Sequence, residues 1–185
     1  MLTGYKSSAF TLLEMMVVIA LVAIITAFTV PRLFRRAPAV EWKNITDDLN
    51  NLVLFARHNA LEQRKPYRLV FRQGQTQDTV TVEASIEDPD KPGRIRYEPA
   101  APDYMATTYR FADAVRLRAV YRGKIEMLAD QHGVAYCAVT IDGLVQDVVV
   151  HLVRTLDGVE SSGTLKMNPF FGTFDFVDGL VRPGM

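Results

Sequence analysis

The stretch Phe10-Thr-Leu-Leu-Glu14-Met-Met-Val-Val-Ile-Ala-Leu-Val-Ala-Ile-Ile-Thr-Ala-Phe-Thr-Val30 carries one charge, Glu14, in an otherwise apolar segment. As a helix rising ~1.5 Å per residue it spans roughly 30 Å, the thickness of a bilayer's hydrocarbon core. An ionised carboxylate inside such a helix costs on the order of 2.5–3.5 kcal/mol on insertion scales, so it calls for a partner. Two readings follow. In the first, the segment is a single-pass anchor with Glu14 near the headgroups, where the cost falls away. In the second, a positive group on another chain meets Glu14 inside an apolar assembly.

The flanks sharpen the choice. The leader Met1-Leu-Thr-Gly-Tyr-Lys6-Ser-Ser-Ala9 is short and polar and abuts the apolar run directly. A secretory signal peptide would have a shorter apolar core, no internal acid and a small-x-small cut. Ala37-Pro38-Ala39 offers such a cut, but Arg32, Arg35 and Arg36 stand between it and the core. Those three arginines, against Lys6 and the initiator amine, lean towards an anchor that keeps its carboxyl-terminal part inside.

Lys6, the small Ala9 and Phe10-Thr11-Leu12-Leu13-Glu14 together resemble the cleavage site of type IV prepilins and type II secretion pseudopilins. The resemblance implies a prepilin peptidase/methylase that cuts on the cytoplasmic face between Ala9 and Phe10 and then N-methylates Phe10. It also implies that Glu14 is the acid used in assembly. Pro31 matches a proline common at that spacing in the family. The residue before the cut is usually Gly there and is Ala9 here. Because orientation in that family is tied to processing of the leader, the resemblance outweighs the arginine count. It implies an inner-membrane, single-pass subunit with a periplasmic globular domain that is later incorporated into a pseudopilus.

Beyond the segment about 150 residues of the 185 remain, enough for one domain with its own core. Cys137 lies in the apolar run Val134-Ala-Tyr-Cys-Ala-Val139 and reads as a small core residue. Charge balances at 21 Lys and Arg against 21 Asp and Glu, which argues against a generic polyanion binder. The balance is uneven along the chain. Residues 32–124 carry 17 basic and 12 acidic groups, and residues 125–185 carry 3 and 8. Either these charges scatter over solvated faces, or opposite ends of neighbouring subunits attract when they stack.

Pro31 and Pro38 predict a bend or break after the apolar segment, with a helix from about Val40 to Arg64. Ile45, Leu49, Leu52, Val53, Ala56 and Ala60 form its apolar stripe, and Thr46-Asp47-Asp48 and Asn50-Asn51 are expected to face water. Leu54, Phe55 and Leu61 lie off the stripe, either as extra core or as contacts for neighbouring helices. From Tyr67 the period becomes two, which predicts strands around 67–72, 79–84 and 115–122. Further strands are expected at 134–141, 147–153, 163–167 and 171–177, with turns at Asp142-Gly143 and Asp178-Gly179. Glu98–Asp103 reads as a long loop. The expected fold class is α+β and pilin-like: a long N-terminal helix, membrane-spanning in its first half, packed on a mainly antiparallel sheet. The boundaries are a leader at 1–9, a transmembrane or filament-core helix at 10–30, a linker and second helix half at 31–66, and a β-rich domain at 67–185.

The segment Ala56-Arg57-His-Asn-Ala60-Leu61-Glu-Gln-Arg64-Lys-Pro-Tyr-Arg-Leu69-Val70-Phe71 resembles the helix-to-strand junction of H-type minor pseudopilins and FimT-like minor pilins. Ile141-Asp142-Gly143 with Val148-Val-Val-His-Leu152 resembles their later strand-turn-strand unit. The implied partners are the peptidase, other pseudopilins, an inner-membrane assembly platform protein and inner-membrane lipid.

Catalysis finds no support. His58, His132 and His151 are scattered, Ser161-Ser162-Gly163 lacks the spacing of a nucleophile elbow, and no cofactor pattern is present. Glu87, Asp88 and Asp90 read as a solvated acidic loop or a hard-cation site. An alternative function, a minor pilin of a type IV pilus or DNA-uptake filament, has the basic residues Arg64, Lys65, Arg68, Arg72, Arg116, Arg118 and Arg122 in its favour. Nucleic acid remains the less favoured partner.

Overall fold

The computed structural model describes residues 12–34, 38–91, 93–101, 105–130 and 132–181, without the side chains of residues 27–40 and Asp130. It divides into two compact units, residues 1–40 and 41–185.

In the first unit, helix α1 runs Leu12–Phe34 and passes through Pro31, which the sequence marked as a break. The described part of α2 is Pro38–Gln63, and residues 35–37, within the stretch where the bend or break was expected, lie outside the described residues.

The second unit is built on two five-stranded antiparallel sheets rather than one. The first has the order β3-β2-β1-β7, with β4 also pairing β2: β1 Tyr67–Arg72, β2 Thr79–Glu87, β3 Ile95–Pro99, β4 Thr108–Arg110 and β7 Val134–Val139. The second has the order β10-β9-β8-β5-β6: β5 Val115–Arg122, β6 Ile125–Glu126, β8 Val149–Leu156, β9 Val159–Asn168 and β10 Thr173–Asp178. A one-turn helix α3, Met127–Asp130, precedes β7.

The helix stripe predicted from the sequence is buried at each position, from Ile45 to Ala60. It meets Leu69, Phe71, Val80 and Val82 of the first sheet and Val150, Leu152 and Leu165 of the second in one core. Phe55 joins that core, whereas Leu54 and Leu61 stay exposed. Trp42, absent from the predicted stripe, is buried and stacks on Phe176 with ring centroids 5.5 Å apart.

Two residues expected to face water do not. Thr46 is buried, and its hydroxyl is satisfied there by donating to the Trp42 carbonyl within the helix at 2.8 Å. Asn50 is half-buried and bonds to β10. Arg154 of β8 lies 2.9 Å from Glu41 at the start of α2. Its Nε–H makes no hydrogen bond of proper angle, so charge rather than directed bonding holds that pair.

The outer face of the first sheet is less exposed than its alternation predicts. Val70 and Glu83 are both buried. Arg68 donates twice to one Glu83 oxygen, at 2.9 and 2.7 Å, and Arg72 donates to the other at 2.9 Å. The Arg68 guanidinium also lies 4.1 Å from the centre of the Tyr97 ring. A buried carboxylate is tolerated when charge-assisted bonds fill both its oxygens.

The sheets are tied where β5 bulges. Its register with β8 shifts between Leu117 and Ala119, and Arg118 is the extra, exposed residue. The Leu117 N–H donates to the buried Asp78 carboxylate at 2.7 Å, and its carbonyl accepts from Gln73 at 2.8 Å. Both partners belong to the β1–β2 connection of the first sheet, so this bulge locks one sheet to the other. The loop expected at 98–103 begins later, because Glu98 and Pro99 complete the edge strand β3.

Candidate assembly site

Glu14 lies in the first described turn of α1. Every described side chain of that helix, Leu12 to Thr26, is exposed, including Leu12, Leu13, Ile19 and Ile25. A helix apolar on all sides is one that lipid or other helices surround. Thr26 suits that setting, because its hydroxyl donates to the Val22 carbonyl at 2.7 Å within the helix. Among the described residues no helix is long and apolar enough to cross a membrane. The span predicted over 10–30 extends past the described side chains at both ends. Ala9 and Phe10, the predicted cleavage and methylation residues, lie outside the described residues.

The second unit presents a different surface at the carboxyl end of α2. Arg57 donates from Nε to the Gly143 carbonyl at 2.8 Å and from a terminal nitrogen to the Phe171 carbonyl. One guanidinium thereby fastens two loop tips. The β9–β10 turn is closed further by Asn168, whose side-chain oxygen accepts from the Phe170 and Phe171 N–H groups at 3.2 and 3.3 Å. Gly172 has φ +65°, and a Cβ there would stand 2.6 Å from the Arg57 side chain. So fastened, Phe170 and Phe171 point their rings outward, 85% and 72% exposed. The α2 residues Asn51, Leu54, Phe55 and His58 form, with Met105, an open apolar groove of about 580 Å³. Sequence reading missed both features. Phe171 read as the first residue of a strand over 171–177, and Leu54, Phe55 and Leu61 read as extra core or as contacts for neighbouring helices, with no groove among them.

The basic residues do not form one free surface. Arg68 and Arg72 are committed to Glu83, and Arg116 bonds Asp78 and the Gly74 and Gln75 carbonyls. Arg64, Lys65, Arg118 and Arg122 are exposed. His58 stands 3.5 Å from Glu62 on the surface, whereas His151 is buried with its Nε2 2.8 Å from the Val181 carbonyl. Among the described residues no group of three or more His, Cys, Asp or Glu is placed to hold a metal. Glu87 and Asp88 accept from the nearby Gly93 and Asp90 N–H groups instead. Cys137 is fully buried, and burial pushes its thiol up to about 12.

Residues 5–30 match the family model described as the prokaryotic N-terminal methylation motif. The chain is thus an α+β protein whose amino-terminal segment carries that motif. Among solved structures it is similar to two of the minor pseudopilin EpsH from the type II secretion system of Vibrio cholerae. In one, identity is 14% over 74% of this chain and 95% of that chain, with a TM-score of 0.49. In the other, identity is 16% over 78% and 96%, with a TM-score of 0.48. No curated protein matches the chain.

Proposed function

We propose that this chain is a minor pseudopilin, a structural subunit of a type II secretion pseudopilus that assists protein export across the outer membrane. The observation that carries the reading is Glu14 in the first described turn of an apolar helix, inside a matched methylation motif. After cleavage the processed chain waits in the inner membrane with residues 10–30 spanning and the β-rich unit in the periplasm. A cytoplasmic motor and the platform protein then move it into a filament, where apolar helices exchange lipid contacts for one another.

The freed Phe10 amine of one subunit and the Glu14 carboxylate of a neighbour neutralise each other in that core. Such a pair roughly breaks even against apolar side chains in stability, so its main effect is to fix the register of adjacent helices. The resemblance of residues 56–71 covers H-type minor pseudopilins and FimT-like minor pilins alike, so it supports the pilin-like class and not secretion over a pilus. The engagement of Arg68, Arg72 and Arg116 within the fold leaves fewer cations for phosphate contacts.

The test is Glu14→Ala. The variant inserts in the membrane and is cleaved, but it is excluded from sheared or purified filaments. Incorporation at the wild-type level removes the pairing mechanism.

A further inference from the structure

One face of α2 carries acids and apolar side chains but neither Lys nor Arg. Asp48, Asn51, Leu54, Phe55, His58 and Glu62 meet one another down this face at spacings of three and four. Two adjoining hollows lie against it. The first is the open apolar groove of about 580 Å³, walled by Leu54, Phe55 and Met105, with Leu54 64% exposed. The second, of about 300 Å³, shares Asn51 and Met105 with the first and adds Asp48, Thr108 and Tyr109.

Asp48 is a charge without a counter-charge. It is exposed and makes no hydrogen bond or ion pair among the described residues. Glu41 is paired with Arg154, and His58 stands against Glu62. Arg57, the only arginine of α2, is spent on the Gly143 and Phe171 carbonyls. The negative potential reaches the second hollow, where burial first, then Asp48 and Glu41, push the Tyr109 phenol up to about 12. A carboxylate beside an aromatic ring suits an ammonium or guanidinium group. The groove next to it suits apolar side chains.

We infer that these hollows receive a segment of another protein, which sets a Lys or Arg against Asp48 and Tyr109 and apolar side chains against Leu54 and Phe55. Other occupants fit the charges less well. The exposed aromatic turn of a second copy carries Asp147 and Asp175 beside Phe170, against one Lys166, so acid would meet acid. An anionic lipid surface would meet the same repulsion. Both hollows are open troughs, which suits a length of polypeptide better than a small molecule. This goes beyond the pseudopilin reading, because it concerns the β-rich unit and uses neither Glu14 nor the removal of residues 1–9.

The experiment is photocrosslinking of the full chain in its native membrane, with Leu54→p-benzoylphenylalanine as the probe. The expected adduct joins a different protein, and mass spectrometry of the crosslinked peptide finds a Lys or Arg within a few residues of the attachment point. Asp48→Lys in the probe-bearing chain lowers the adduct yield roughly tenfold, because it sets like charges together. Asp48→Asn lowers it less. Asp142→Lys, the same charge change on an exposed turn, leaves the yield as it was. An adduct with a second copy or with lipid, an attachment site without a cation, no adduct, or a yield indifferent to Asp48→Lys overturns the proposal.

Discussion

The side chain of Asn50 hydrogen-bonds both backbone groups of Phe174, accepting from its N–H at 2.6 Å and donating to its carbonyl at 3.2 Å. Phe174 lies on β10, the edge strand of the second sheet, so a single amide from α2 stands where a neighbouring strand would be. An open edge invites pairing with another chain, and covering it with a helix is one of the ways proteins avoid that. The same bond fixes the height of α2 against the sheet, and with it the position of Arg57 two turns later.

Asn50→Ala removes both bonds from partly buried backbone groups, and the expected loss is about 1–3 kcal/mol of unfolding free energy. Urea unfolding followed by circular dichroism measures it. A loss below about 0.5 kcal/mol would mean that water replaces the amide without penalty and that helix packing alone holds the edge.

Two glycines separate strain from space. Gly172 and Gly158 both have positive φ, +65° and +78°. A Cβ at Gly158 meets nothing within 4 Å, whereas one at Gly172 would strike Arg57 at 2.6 Å. Gly158→Ala is expected to lose about 1 kcal/mol from backbone strain alone. Gly172→Ala is expected to lose more, and to free both loops that Arg57 holds. Proteolysis at residues 141–144 and 168–172 reads that release, and equal effects of the two substitutions would contradict the clamp.

Alkaline stability follows from two protonated groups. Burial raises the Cys137 thiol from 9.0 to about 12, with a smaller contribution from Asp147, against a bond to Gln146 that lowers it. Burial, then Asp48 and Glu41, raise Tyr109 from 10.0 to about 12. The folded chain holds both protons more tightly than the unfolded chain does. The stability they contribute is complete below pH 9 and is lost as pH climbs towards 12. Melting temperature should be level from pH 7 to 9 and fall beyond it. Alkylation of Cys137 should then track unfolding instead of thiolate formation in the native state, and rapid alkylation of the folded chain at pH 9 would refute this.

Much of this architecture was legible in the residues because its signals are local. The 3.6-residue stripe of α2 and the alternation of β1 and β2 each report one face against one core and survive in the structure. In β5, by contrast, the bulge at Arg118 breaks the alternation and brings Val120 into the core in place of Ala119 and Tyr121. What escaped depends on partners far along the chain. Trp42 looked isolated because Phe176 is the ring it stacks on. Glu83 looked exposed until Arg68 and Arg72 closed over it. The strands β3 and β4 carry Pro99, Arg96, Glu98 and Arg110, a composition suited to edges and hard to tell from a loop. Two sheets instead of one follow from pairings between distant strands, which periodicity does not encode. At the candidate site the chemistry of Glu14 was visible from its neighbours alone, whereas the Phe170–Phe171 projection required the position of Arg57.

The central claim concerns the amino-terminus, and intact-mass spectrometry of the full chain extracted from its native membrane tests it most directly. The account predicts a species lacking Met1–Ala9 and bearing one methyl group on the amine of Phe10. A polypeptide that still begins at Met1 in the assembled state would contradict it and leave a plain membrane anchor in its place.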